Sequence, residues 1–138
     1  SHSAGRAFCA LGEQAMLGAD LERIVPRAPG FAADYFTTAE RALTAAADAA
    51  HRDLMTTAIW CGKEAALKAL GLGLTVDTRT VACLGAVPTA DAWTRFTIAL
   101  EESIPIPGSG AAPALLGWWR RLDDFVLTLA ADRAVAPT

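Results

Sequence analysis

The sequence has no excess of positive charge and no long apolar run. Its 12 lysines and arginines are outnumbered by 15 aspartates and glutamates, which gives a net charge of −3. Nucleic-acid binding requires a basic stripe or patch, so neither DNA nor RNA is expected as a partner. No apolar run approaches the roughly 20 residues of a membrane span, and no signal peptide is recognisable. These absences predict a cytoplasmic protein with no membrane partner.

Cysteine is also scarce. Cys9, Cys61 and Cys83 are odd in number and far apart, which excludes a disulfide framework and a CxxC metal site. Each is most simply a buried free thiol in a reducing compartment. The remaining composition, with 53% hydrophobic and 20% charged residues, is typical of a globular chain. A length of 138 residues then predicts one domain, residues 1–138, with its own core.

The first half of the chain contains helical patterns. The letters PGFAADYF predict one or two helical turns, and TTAERALTAAADAA predicts a helix with Thr37 or Thr38 as its N-cap and Glu40 near the capping-box position. A longer helix is predicted from about Leu54 to Leu70, with Asp53 able to cap it. The two glycines of the letters GLGL end this helix.

Strand patterns flank these helices. Residues 6–12 and 15–24 predict two short strands joined by a tight turn at the letters GEQ. Further strands are predicted at RTVACLGAV, TRFTIALEE and DDFVLTLAA, and SIPIPGSGAAPALLG is predicted to be a loop followed by WWRRL. Strands before and after a block of helices indicate an α+β fold, in which an antiparallel sheet packs against the long central helix.

Two acidic residues lie two apart in the second predicted strand. Asp20 and Glu22 would point to the same face of a strand, where two carboxylates repel each other. A hard divalent cation such as Mg²⁺ would relieve this repulsion, because it prefers carboxylate and phosphate oxygens. A solvent-exposed edge strand with two surface acids is the alternative interpretation of this weak pattern.

The central helix carries three further charged residues. Glu64 and Lys68 are four apart, in the favourable order for a surface ion pair. Glu64 also borders the apolar stripe of the helix, so it could instead share a cation with the strand acids. Lys63 points about 100° away from Glu64 around the helix. His2, between Ser1 and Ser3, is either a solvated side chain or a phosphate contact.

Taken together, these segments resemble the 4′-phosphopantetheinyl transferase superfamily, specifically the type that activates peptide and polyketide synthases. The signatures of that family occur here in order and in register as SHS, GADLE, FTTAE and WCGKEAALKALGLG, over roughly residues 1–75. The residue that is valine or isoleucine in the family's second signature is Ala19 here. The resemblance implies a lobe of that family's fold, with the later strands forming its sheet.

The resemblance also implies a reaction. The family moves the phosphopantetheine arm of coenzyme A to a serine of an apo acyl or peptidyl carrier protein. On this basis Asp20, Glu22 and Glu64 would hold Mg²⁺, with Mn²⁺ as a possible substitute. Glu64 would be the base for the serine hydroxyl, and Lys68 would stabilise or protonate the leaving phosphate. The expected coenzyme A contacts are then Lys63, Lys68 and, for the 3′-phosphate, His2.

The chain resembles only the second lobe of the two-lobed enzymes of this type. A sequence that begins at SHS without methionine suggests three alternatives: a first lobe that was removed or is a separate chain, self-association as a trimer, or a domain integrated at the end of a large synthase. A different class of function is also open, in which a non-catalytic lobe serves as an interaction or scaffold module of a polyketide or fatty acid synthase.

Overall fold

A computed structural model describes residues 1–13, 16–108, 111–133 and 137–138. Its strands are β1 (His2–Ser3), β2 (Arg6–Ala7), β3 (Leu17–Arg23), β4 (Val81–Leu84), β5 (Thr94–Leu100), β6 (Leu116–Leu122) and β7 (Phe125–Ala131). Its helices are α1 (Phe31–Tyr35), α2 (Thr38–Ala46) and α3 (Arg52–Ala69), and a short 3₁₀ turn covers Thr78–Thr80.

The described residues form an antiparallel five-stranded sheet with the order β3-β7-β6-β5-β4. The long helix α3 packs on one face of this sheet, mainly against β3 and β7. The predicted α+β class and its central helix are therefore confirmed. The largest core cluster lies between α3 and the sheet and includes Leu67, Phe96 and Trp119. Cys61 and Cys83 are buried, as predicted, whereas Cys9 is exposed. None of the described helices is both long and apolar enough to cross a membrane.

The close contact between α3 and β3 depends on Gly18. A Cβ atom at this position would lie 1.9 Å from the Ala65 carbonyl oxygen and 2.6 Å from the Ala69 nitrogen. Such distances are far below van der Waals contact, so only glycine allows the strand backbone to approach the helix backbone here. The acidic residues two and four positions after Gly18 are thereby brought beside the helix.

The N-terminal ends of α2 and α3 were predicted with different success. Thr37 caps α2, and its hydroxyl and the Glu40 side chain form the reciprocal hydrogen bonds of a capping box, as the pattern predicted. Asp53, by contrast, does not cap α3. The helix begins after His51, which makes no side-chain capping bond, and Asp53 lies in the first turn.

The predicted N-terminal hairpin is wrong in its pairing. Residues 6–12 do not form a strand beside β3; instead the short β2 pairs with β1, and β3 pairs with β7 at the far end of the chain. Phe8 and Ala10 pack on the face of the sheet that α3 leaves free, and Phe8 exchanges backbone hydrogen bonds with Ser1 rather than with β3. Gln14 and Ala15, from the predicted turn and second strand, lie outside the described residues.

The strand β6 was missed because its sequence does not alternate. Two tryptophans are followed by two arginines in this segment. Trp119 belongs to the core under α3, whereas Trp118 packs with Leu129 on the opposite face. Since both faces of the sheet are covered here, consecutive residues are both apolar and the period of two disappears. Ser109 and Gly110 of the predicted loop lie outside the described residues.

Candidate metal centre

The structure brings the three predicted acidic residues together at the edge of the sheet. Asp20 and Glu22 lie on β3, and Glu64 lies on α3 beside them. One carboxylate oxygen from each of the three lies within 4.8 Å of the others. Asp20 is buried, and the other two carboxylates are half-buried. Positions i and i+2 of β3 therefore share a face, and that face is turned toward the helix.

The two oxygens of Asp20 have different environments. Oδ1 accepts hydrogen bonds from Lys68 Nζ at 2.5 Å and from Ser1 Oγ at 2.8 Å. Oδ2 is buried and has no hydrogen-bond partner among the described residues. A buried carboxylate oxygen without a partner is costly. This oxygen is a natural ligand for a cation held between Asp20, Glu22 and Glu64.

The electrostatics of Glu64 also favour a bound cation. Burial, followed by the negative charge of Asp20, raises the pKa of Glu64 from 4.5 to about 8. Glu22 adds to this rise, and Lys68 opposes it. In the absence of a cation, Glu64 therefore keeps a proton at neutral pH, because ionising it would place a third negative charge in the cluster.

Lys68 lies at the acidic cluster, whereas the His2 imidazole faces solvent. Lys68 is partly exposed, and its ammonium group pairs with Asp20 rather than with Glu64 four residues before it. His2 is exposed on β1, next to the Ser1 whose hydroxyl reaches Asp20. The hairpin of β1 and β2 thus touches the cluster through Ser1, while the imidazole itself faces solvent.

Lys63 is not where the expected coenzyme A contact requires it. Its side chain is fully buried, and its ammonium group lies 2.8 Å from Glu40 Oε2. It also donates to the backbone carbonyl oxygens of Thr78, at 2.8 Å, and Val81. These three acceptors use all three of its protons. No donor remains for a phosphate. The structure therefore does not support the predicted contact between Lys63 and coenzyme A.

Glu40 completes the buried pair. Its Oε2 accepts from the Thr37 backbone and hydroxyl, and its Oε1 accepts from the Cys83 backbone N–H at 2.7 Å. Cys83 lies on β4, an edge strand of the sheet. The FTTAE segment therefore caps α2, satisfies an edge strand and neutralises Lys63. Its role in this structure is architectural.

Two polar contacts of the cluster were not predicted from the sequence. Arg27 donates from Nη2 to Glu22 Oε2 at 3.0 Å and lies over the Phe31 ring. Ser1 donates to Asp20, as described above. Arg27 follows Glu22 by five residues, across the break that ends β3, so no strand or helix periodicity relates the two. Ser1 reaches the cluster only because the β1–β2 hairpin lies beside β3.

The fold and the cluster together define an α+β lobe with a carboxylate site between a strand and its central helix. Comparison with known proteins identifies the family. The family model of the 4′-phosphopantetheinyl transferase superfamily (ACPS) matches residues 16–106. That is well over half of the sequence, and the chain belongs to this superfamily.

The fold is also similar to a solved structure, the Chronobacterium ammoniagenes ACPS-CoA complex. The TM-score is 0.65, and the match covers 86% of this chain and 96% of that chain. The sequence identity is 19%, so the similarity concerns the fold. No curated protein matches the sequence.

Proposed function

We propose that this chain transfers the 4′-phosphopantetheine arm of coenzyme A to a serine of an apo acyl or peptidyl carrier protein, with Mg²⁺ bound by Asp20, Glu22 and Glu64. Membership of the superfamily supports the class of reaction. The observation that carries the proposal is the meeting of these three carboxylates within 4.8 Å, in front of a buried Asp20 oxygen that lacks a partner.

The three residues fit a hard divalent cation. All donors are carboxylate oxygens, which Mg²⁺ prefers and Mn²⁺ accepts. Burial and the charge of Asp20 raise the pKa of Glu64 although Lys68 and Arg27 already pair with Asp20 and Glu22, so the cluster favours a further positive charge. When bound, the cation would neutralise and orient the pyrophosphate of coenzyme A.

The chain's own residues can then assist both sides of the transfer. The serine oxygen of the carrier forms a bond to the phosphorus that bears the pantetheine, and the bond from that phosphorus to 3′,5′-adenosine bisphosphate breaks. Glu64, once ionised, would accept the proton of the serine hydroxyl. Lys68 is partly exposed beside Asp20, and it would donate a hydrogen bond or a proton to the leaving phosphate.

The remaining predicted contact is His2. Its exposed position on β1 leaves the imidazole accessible to an anionic group such as the 3′-phosphate of coenzyme A. We therefore retain it as the proposed contact for that phosphate, whereas Lys63 is left out because its ammonium group is fully bonded inside the protein.

A transfer assay tests the proposal. The protein is incubated with coenzyme A, Mg²⁺ and an apo carrier protein, and the carrier is weighed by mass spectrometry for one added phosphopantetheine. The substitution Glu64→Gln should slow transfer by roughly 10²–10⁴-fold, the usual contribution of a general base. Glu102→Gln, at an exposed glutamate, is the matched control and should keep the rate.

Two failures have distinct meanings. If the wild-type protein transfers nothing to acyl or peptidyl carriers with either metal, the proposed function is wrong. If wild type transfers and Glu64→Gln transfers equally fast, the function stands but Glu64 is not the base. Removal of the metal with EDTA should stop transfer, and re-addition of Mg²⁺ should restore it.

A further inference from the structure

A buried threonine lies directly beside Asp20 in the sheet. β3 and β7 are paired so that Asp20 faces Thr128 in register. Both side chains are on the face covered by α3, and their exposures are 1% and 0%. Side chains in register on neighbouring antiparallel strands have Cβ atoms about 4.5–5.5 Å apart. Thr128 is therefore an immediate neighbour of the proposed metal ligand.

The two side chains have complementary needs. Thr128 Oγ1 is buried without a hydrogen-bond partner among the described residues, and so is Asp20 Oδ2. The first can donate a proton, and the second can only accept. Leaving either group unpaired in the interior costs about 1–3 kcal/mol. A small rotation of the threonine side chain, or one buried water between the two atoms, would satisfy both groups.

Cys61 lies on α3, the helix that covers this pair. Its thiol lies against the Val126 carbonyl oxygen at 3.6 Å, and Val126 is two residues before Thr128 on β7. Burial, followed by the charge of Asp20, raises the pKa of this thiol. Cys61 is therefore a further buried neighbour of Asp20. A thiol is only a weak donor, so Thr128 is a stronger hydrogen-bond donor for Asp20 than Cys61 is.

We propose that Thr128 is a positioning residue for Asp20, and that its hydroxyl donates to Asp20 Oδ2, directly or through one buried water. This inference rests on the metal site of the proposed function. A carboxylate oxygen has enough lone pairs to accept this bond and to bind a cation as well. Partners that orient a ligating carboxylate typically change metal affinity about 10–100-fold when removed.

The experiment compares three substitutions by direct binding of Mn²⁺ alone, measured by electron paramagnetic resonance without coenzyme A. Thr128→Val keeps the shape and removes the hydroxyl, so it should weaken Mn²⁺ binding by at least about 10-fold. Thr128→Ser restores a hydroxyl and should recover most of the affinity. Thr57→Val is the matched control, since Thr57 is also fully buried with an unpartnered hydroxyl but lies about two turns before Glu64 on α3.

Urea unfolding of the same variants separates positioning from packing. If the Thr128 hydroxyl has no partner, Thr128→Val should be neutral or stabilising, and Mn²⁺ affinity should not change. Equal Mn²⁺ affinity of Thr128→Val and wild type would overturn the inference, and so would an equal loss of affinity in Thr57→Val.

The proposed function fails in a different way. A wild-type protein that binds no Mn²⁺ would overturn both the metal site and this inference. A wild-type protein that binds Mn²⁺ and transfers phosphopantetheine, while Thr128→Val binds and transfers equally well, would overturn the role of Thr128 alone.

Discussion

Lys63 and Glu64 are adjacent in the sequence, yet α3 turns their side chains into different environments. Glu64 faces β3 and the acidic cluster, whereas Lys63 is buried against Glu40. The residues at 100° intervals around a helix meet different neighbours. The sequence could place both on one helix, but it could not show that Lys63 is needed inside the protein, because its partners come from α2 and β4.

The buried pair of Lys63 and Glu40 should be essential for stability. Lys63→Met leaves a buried carboxylate without its cation, which typically costs about 3–5 kcal/mol. We expect this loss in the free energy of unfolding, measured by urea denaturation. The double variant Lys63→Met with Glu40→Gln removes the charge and should recover a substantial part of the loss. A single variant as stable as wild type, with a raised KM for coenzyme A, would contradict the structural role and restore the predicted contact.

The pKa of Glu64 predicts how the metal-free protein responds to pH. Its pKa is about 8 in the folded chain and 4.5 ordinarily, so the folded state holds this proton more tightly. The resulting stability is present below about pH 4.5 and is lost as pH rises toward about 8. If Mg²⁺ binds the ionised cluster as proposed, the stabilisation it gives should increase over the same range.

Urea unfolding in EDTA and in Mg²⁺, at several pH values in that window, measures this effect. Glu64→Gln should flatten the pH dependence, and Glu102→Gln should leave it unchanged. Asp77, whose pKa the Arg79 side chain lowers to about 2, titrates below the window and does not interfere. A metal-free stability that is the same at both ends of the window would contradict the prediction.

At the scale of elements, α2, α3, β4, β5 and β7 were predicted close to their observed positions. Each has a clear local signal: a capping box in α2, a helical apolar stripe in α3, and apolar runs bounded by turn residues in the strands. The failures were segments whose conformation depends on distant partners. β6 is covered on both faces, and the residues before β3 pack on the sheet without joining it. The sequence around β3 does not show which strand pairs with it, because its partner β7 lies about 100 residues later.

The contact between β3 and α3 should be sensitive to a single methyl group. Gly18→Ala would place a Cβ atom against backbone atoms of Ala65 and Ala69, which cannot move separately from the helix. We expect a loss of about 1–3 kcal/mol in unfolding free energy, as is usual for overpacking. Because Glu64 moves with the helix, Mn²⁺ binding should weaken as well.

Gly62→Ala is the comparison on the same helix. Its new Cβ atom would meet side-chain atoms of Cys83 and Phe96 at 3.1–3.3 Å, which can shift by a few tenths of an ångström. Replacing a helical glycine also gains up to about 1 kcal/mol, so this variant should be nearly neutral and should bind Mn²⁺ normally. Gly18→Ala behaving like Gly62→Ala in both measurements would show that the helix is free to move.

At the scale of the whole molecule, the acidic residues of the site are supplied by this chain, but its cations are few. Lys68 and Arg27 already pair with Asp20 and Glu22, and Lys63 is buried. Coenzyme A carries a pyrophosphate and a 3′-phosphate, which usually require several cationic partners. The family resemblance named the three acidic residues that the structure brings together. The source of further cations, a first lobe or another copy, remains a prediction.

The face of the sheet opposite α3, away from the acidic cluster, is a candidate surface for contact with another chain. It carries an apolar cluster around Trp118 and Leu129, both of which are buried, and a cavity of about 460 Å³. Leu11, which lines this cavity, is 95% exposed. An exposed leucine at an apolar cavity is a feature that interfaces often have. If the chain self-associates, transfer per chain should rise with protein concentration, and light scattering should give a multiple of 14.4 kDa.

Two exposed leucines allow a matched test of this assembly. Leu11→Asp adds a charge at the apolar cavity and should lower the association constant by at least about 10-fold, since burying an unpaired charge in an interface is costly. Leu74→Asp, 59% exposed beside α1 and α3, should leave the mass unchanged. A monomer that transfers at full rate at every concentration would show that one lobe suffices. A monomer that binds no coenzyme A would instead favour the alternative function, a non-catalytic interaction module. The absence of binding would show that an isolated lobe lacks the cations that the substrate needs.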